Sequence, residues 1–218
     1  MNTLTIASAA PAVIHAVTPA VIPPVIRPVT AADAAAMTAF LMGLDSRSRW
    51  LRFHGTMNPR SEALLRHLTE VDGWKHMAWV AVVSTDGGGE QVVGEARWVR
   101  DGTGGAELAM SVATAWRGRG VADQLLATLT QQARQAGLRQ LVAEVMDDNL
   151  CMQAFMRRHG YAEALDPDTR FEADAGHSLR LVRTLVPQRR ESRQSPWLGV
   201  VGWVRRALAR RVDRPMPA

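Results

Sequence analysis

Ala106-Glu-Leu-Ala-Met-Ser-Val-Ala-Thr-Ala-Trp-Arg-Gly-Arg-Gly-Val-Ala-Asp-Gln-Leu-Leu126 is the stretch on which the reading of this chain turns. Residues 106–114 alternate apolar and small side chains and place β-branched Val112 and Thr114 near the end, the pattern of a half-buried strand. Arg117-Gly118-Arg119-Gly120 breaks the strand. From Val121 the apolar residues recur at Ala122, Leu125, Leu126, Leu129 and Ala133, a helical spacing that Gly137 stops. A strand that turns through glycines into a helix presents the helix's first N–H groups, which have no partner within the helix and sit at its positive end. Glycines at 118 and 120 allow a bulky anion close to the backbone, and Arg117 and Arg119 add cations. A pyrophosphate suits such a mouth.

Two familiar phosphate loops do not fit. A Walker loop ends in Gly-Lys-Ser/Thr, whereas Val121 and Ala122 follow Gly120 here. A dinucleotide fingerprint needs a third Gly or Ala where this chain has Asp123.

The order Arg117-Gly118-Arg119-Gly120-Val121-Ala122 instead resembles the Arg/Gln-x-x-Gly-x-Gly/Ala signature of the GNAT (GCN-related N-acetyltransferase) superfamily. A second block lies at the matching distance: Leu141–Val145 as a strand, then Asn149-Leu-Cys-Met-Gln-Ala-Phe-Met-Arg-Arg-His-Gly-Tyr161 as the family's Asn-x-x-Met helix. Ile26-Arg27-Pro28 followed by Asp33 is similar to the family's first strand and helix. Ser46–Phe53 and Ala106–Ala109 resemble the acetyltransferase domain of bacterial Pat-type protein acetyltransferases. The resemblance spans residues 25–186 and implies an α/β fold, a central mixed sheet flanked by helices. It also implies acetyl-CoA as cosubstrate and a primary amine as acceptor, either a protein lysine or a small amine.

The remaining punctuation agrees with that architecture. Val25–Val29 reads as an opening strand and Ala31–Gly43 as a helix. Ser46–Phe53 and Ser61–Leu68 read as helical pieces, the second capped by Ser61. Met77–Val83 and Gln91–Val99 form a hairpin around Asp86-Gly-Gly-Gly89. Residues 140–146 read as a strand, 149–159 as a helix, and His177–Val186 as a last strand. Residues 1–24 are rich in Ala, Val, Ile and Pro and read as an extended or disordered segment. No cation precedes their apolar residues and prolines interrupt the run, which argues against a secretory leader. With Cys151 as the single cysteine, no intrachain disulfide can form, and a cytoplasmic protein is expected.

Charge is unevenly divided. Residues 187–218 hold eight arginines against two acids, a net of +6, while the whole chain is +5. The rest is therefore close to neutral, which argues against a nucleic-acid partner. In the tail Trp197, Val201, Val204 and Leu208 share one helical face, with Arg206 and Arg210 opposite. Such a basic amphipathic helix suits a membrane surface, a partner's groove or a second subunit. The six histidines show no zinc-ligand spacing, and no metal is expected.

The chemistry the resemblance implies needs a base, since a lysine amine with a pKa near 10.4 is neutral only about one time in a thousand at neutral pH. Glu107, on the strand entering the phosphate turn, matches the Pat-type catalytic glutamate; the plainer alternative pairs it with Arg97. Glu95 is the second candidate and Glu144 a third. Many family members protonate the departing sulfur with a Tyr seven residues after the Asn of the second block. That position is Met156 here, which cannot donate a proton. Tyr161 matches a core position instead. Direct attack within a ternary complex, without a dedicated acid, is the expected route. Asn149 either caps its helix or meets the pantetheine arm, and Val112 is expected to offer its backbone to that arm. His54 is expected on the surface, with the acceptor mouth as the alternative. The same fold without turnover would be an acyl-CoA-binding sensor.

Overall fold

The computed structural model describes residues 23–164 and 178–185. A seven-stranded sheet runs through it in the order β1-β2-β3-β4-β5-β7-β6. Its strands are β1 (Val25–Pro28), β2 (His76–Ser84), β3 (Glu90–Arg100), β4 (Gly105–Val112), β5 (Gln140–Met146), β6 (Ala162–Glu163) and β7 (Ser178–Thr184). Every neighbouring pair is antiparallel except β4 and β5, so the sheet is mixed. The helices are α1 (Ala34–Gly43), α2 (Ser46–Phe53), α3 (Glu62–Thr69), α4 (Val121–Gln135) and α5 (Leu150–Arg158).

Alternation along the strands sends side chains to two separate cores, one on each face. Trp79, Ala81 and Val83 of β2 pack with Trp98, Leu108 and Met110, the α4 residues Leu125, Leu126 and Leu129, and Met156 and Tyr161. Ala78, Val80 and Val82 face the other way, onto Met37, Phe40 and Leu41 of α1 and Leu64 and Leu68 of α3. Leu125 and Leu129 are wholly buried, each stabilising the fold by about 1.5–3 kcal/mol. Gly94 on β3 brings α4 down onto the sheet. A Cβ there would meet Leu125 at 3.0 Å and Val121 at 3.3 Å, the first turn of that helix.

Three local expectations are corrected, and one short strand was not expected. The helix expected over Ala31–Gly43 begins as a 3₁₀ turn, Ala31–Asp33, because Asp33 is held fast. Its carboxylate accepts from the Thr30 backbone N–H at 2.7 Å and from both terminal nitrogens of Arg27. The strand expected to reach Thr114 ends at Val112. Ala113 N–H turns back to Val93 C=O, and Thr114–Trp116 closes as a 3₁₀ turn. Ser61 precedes α3 without a side-chain capping bond. A two-residue strand, β6, pairs with Val182 and Leu181 although its sequence carries no strand signal. Residues 1–22, and the tail from 186 on with its basic amphipathic pattern, lie outside the described residues.

Candidate active site

The cavity begins where the one parallel pairing fails. β4 and β5 are joined from Gly105/Gln140 to Leu108/Ala143, and there the ladder stops. Beyond it β4 runs on to Val112 paired only with β3, and β5 runs on to Met146 paired only with β7. The strands splay at the carboxyl end of the parallel pair, the usual place for a ligand in a sheet with parallel strands. A cavity of about 610 Å³ fills the gap, lined by Glu107 to Val112 on one strand and Ala143 to Val145 on the other.

At one end stands the glycine turn. Gly118 and Gly120 have φ of 70° and 76°, left-handed values that strain any residue with a Cβ. Gly120 is the N-cap of α4 and supplies no side-chain cap; the first bond into the helix runs from Gln124 N–H to Gly120 C=O at 3.1 Å. The N–H groups of Val121, Ala122 and Asp123 therefore precede the helix's own bonding. A Cβ added at either glycine would meet no atom within 4 Å, so the space before the helix is open. This is a fit for a diphosphate.

The residues expected to bind the cofactor fall unequally around this end. Val112, Arg117, Gly118, Gly120, Val121, Ala122 and Asn149 all line the cavity. Arg119 does not; its guanidinium lies over the Trp116 ring, 5.2 Å from the centroid. Arg117 is tied to the neighbouring helix α2, donating to Ser48 Oγ at 2.7 Å and to Val112 C=O at 3.3 Å. Asn149 caps α5, its Oδ1 accepting from Met152 N–H at 3.3 Å, and the residue also lines the cavity.

The candidate acid and bases separate clearly. Glu107 is buried on the cavity wall. Glu144 lines the opposite strand. Glu95 is not on the wall: it is 1% exposed, bonded by Arg52 Nε at 2.6 Å and by Arg97 Nε at 2.9 Å. Burial pushes its carboxyl up, but the two guanidiniums outweigh that and hold it at about 2. A carboxylate so committed is a poor proton acceptor, which corrects its place as second candidate. Met156 is buried and lines the cavity where the family's Tyr would stand. Tyr161 is off the wall, its phenol pushed up by burial despite nearby Arg183, consistent with a core residue.

Arg52, Arg97 and His76 form a buried polar layer, with half-buried His67 at its edge, that the sequence does not announce. Arg97 also donates to the Leu68 carbonyl at 3.2 Å and to His76 Nε2 at 3.1 Å, so His76 is neutral with its proton on Nδ1. Burial, then the Arg97 and Arg52 guanidiniums, hold His67 at about 4; burial, then Arg97 and His67, hold His76 at about 3. One sequence signal marks this layer. Glu95 and Arg97 alternate on one face within the buried middle of β3, among apolar neighbours, which puts charges where a core should be. Arg52 itself, 43 residues earlier, gives no local sign. His54, expected at the surface, is buried at the left-handed end of α2 and lines the cavity.

No group of three His, Cys, Asp or Glu among the described residues is placed to hold a metal. No helix among them is long and apolar enough to cross a membrane.

Known proteins resemble this chain in sequence and in fold. The chain is 35% identical over 117 residues to acetyltransferase Pat of Mycolicibacterium smegmatis, a match covering 53% of this chain and 34% of the relative. It is 32% identical over 130 residues to acetyltransferase PA5475 of Pseudomonas aeruginosa, covering 59% of this chain and 69% of that protein. The chain thus spans about a third of the length of the Pat relative. The fold superposes on the GNAT domain of S. lividans PAT with a TM-score of 0.63 at 29% identity, covering 74% of this chain and 90% of that one. It also superposes on a Sinorhizobium meliloti phosphinothricin acetyltransferase solved with acetyl-CoA, at a TM-score of 0.58 and 20% identity, covering 75% and 89%. Residues 25–162 match the acetyltransferase (GNAT) domain family, most of the described structure. The chain belongs to the GNAT family of acetyl-CoA-dependent acetyltransferases.

Proposed function

We propose that this chain moves an acetyl group from acetyl-CoA to a primary amine by direct attack in a ternary complex, with Glu107 as the base. One observation carries the reading: a single cavity joins the amide-rich turn before α4 to a buried carboxylate at the apex of the splayed strands. The cosubstrate supplies an activated thioester. The chain's own part is to hold and orient. The N–H groups at the start of α4 would receive the diphosphate. The edge of β4 beyond Leu108 would receive the pantetheine amide like an added strand, which places the thioester near the apex. Glu107 there would take the proton that the amine must lose before attack, a function worth about 10²–10⁴-fold in rate. Met156 offers the departing sulfur no proton, so the amine's own proton or water must serve.

A screen for CoA release across amines and lysine peptides, repeated with Glu107→Gln, tests this directly. The reading stands if some amine drives release that the variant loses. Met156 favours one rival, a sensor that binds acetyl-CoA without using it. Micromolar binding with no turnover on a broad amine panel would put that rival in its place.

A further inference from the structure

Helix α2 is fastened to the glycine turn through one side chain. Arg117, beside the first glycine, reaches across and donates from Nη2 to Ser48 Oγ at 2.7 Å, a partner 69 residues away in sequence. Its Nε donates to Val112 C=O at 3.3 Å. Ser48, Val112 and Arg117 all line the cavity, as do Gly118 and Gly120, so the guanidinium is strung along the rim beside the open turn. The Nε/Nη2 edge of its fork is thus spent on protein. The Nη1 end meets no hydrogen-bond acceptor among the described residues, and the side chain is 48% exposed.

What Arg117 meets on α2 decides how available its charge stays. Asp45, the N-cap of α2, is the one carboxylate within 4 Å among the described residues, its Oδ2 lying 3.8 Å from Nη2. Ser48 engages both Asp45 oxygens: Oδ1 accepts from the backbone N–H at 2.7 Å and Oδ2 from the hydroxyl at 2.6 Å. Thr114 Oγ1 adds a longer contact to Oδ2 at 3.4 Å. A serine hydroxyl has one proton, and Ser48 gives its own to Asp45, so only lone pairs face Arg117. Ser48 therefore fixes the guanidinium and also stands between it and the carboxylate. A cation held by a neutral oxygen keeps its charge for an incoming anion; one paired bidentately with a carboxylate does not.

We infer that Ser48 is a positioning residue for the cofactor: by fixing Arg117 at the rim through a neutral oxygen, it holds Nη1 for the diphosphate received by the turn before α4. Arg117 supplies the charge and Ser48 its aim. Ordering a long, exposed arginine costs rotamer freedom, and the bonds to Ser48 and Val112 meet that cost before the ligand arrives. The inference rests on the reading that puts acetyl-CoA in this cavity, and it adds α2 to the elements that hold it.

The test is calorimetry with CoA and dephospho-CoA, and with pantetheine by displacement, on the unaltered protein, Ser48→Ala, Ser48→Thr, Arg117→Ala and the Ser48→Ala/Arg117→Ala double variant. Ser48→Ala keeps the backbone N–H that Asp45 accepts from, so α2 stays capped, and the melting temperature checks that it does. CoA and dephospho-CoA share the diphosphate and should bind Ser48→Ala about three- to tenfold more weakly, the worth of a single hydrogen bond. Pantetheine lacks the diphosphate and should bind the variant and the unaltered protein alike. Ser48→Thr restores the hydroxyl and should restore the affinity. With Arg117 already alanine, Ser48→Ala should weaken CoA no further. A purely structural role for Ser48 would weaken all the ligands together and persist without Arg117; either result overturns the inference. Unchanged CoA affinity in a folded Ser48→Ala overturns it too. A loss confined to CoA, with dephospho-CoA unaffected, moves the anion to the 3′-phosphate and also overturns it. Failure of the unaltered protein to bind any of these ligands removes the placement of acetyl-CoA itself, whereas equal binding by the unaltered protein and Ser48→Ala removes the inference alone.

Discussion

At one end of the cavity the chain presents peptide N–H groups from a single run, Gly118 to Ala122; along the Glu107 wall and in the layer behind it the chain relies on ionised side chains drawn from α2, β3 and β4. The first region is open and takes its positive character from oriented dipoles that need no counter-ion. The second is buried, and each of its charges must be answered by another. The difference teaches where each can fail. A backbone site is damaged by changing the path of the chain. A side-chain layer is damaged by removing one member and stranding the rest.

The sharpest way to break the comparison is to strike one carboxylate from each role. Glu107→Gln should lower kcat by about 10²–10⁴-fold while acetyl-CoA binding by calorimetry and the melting temperature barely move. Glu95→Gln should do the reverse first. It leaves Arg52 and Arg97 facing each other without their shared anion, and denaturant titration should show a loss of about 3–5 kcal/mol. If both variants lose activity equally with stability unchanged, the division between reacting wall and supporting layer is wrong.

The glycine turn should respond to shape. Gly120→Val forces a branched residue into φ near 76° at the helix start, a strain of about 1–2 kcal/mol, so acetyl-CoA should bind about tenfold more weakly. The smallest effect is a slope. His67 and His76 titrate near 4 and 3 in the folded chain but near 6.5 when unfolded, so on acidification from pH 6.5 to about 4 the unfolded chain takes up more protons and stability falls. Glu95 adds a loss in the same direction only below pH 4.5, on the way to about 2. Thermal melts of His76→Gln across pH 7 to 4.5 should show a visibly flatter decline.

The contrast also explains what could be read from the chain alone. The turn is local: strand, glycines and helix follow one another within two dozen residues, and periodicity with turn chemistry suffices to place them. The hairpin around Asp86-Gly-Gly-Gly89 and the helix after Asn149 were legible for the same reason. The layer around Arg52 is not local. Its partners come from residues 43 apart, and only the register of β3 and the docking of α2 bring them together. His54 was misplaced on the same account, since a histidine after a short polar helix reads as solvent-facing until α2 is laid against β4. β6 is two residues long, too short for any period, and exists because β7 offers it an edge.

The splaying of β4 from β5 has a further cost-free benefit. Unsatisfied strand edges at the rim of a sheet invite other chains to add themselves. Here the two unfilled edges face each other in the middle of the sheet, with neighbours β3 and β7 outside them and helices across both faces. A slender molecule can thread that slot, but a foreign strand cannot reach it. The protein can thus keep backbone valences vacant for a guest without becoming adhesive to its own kind.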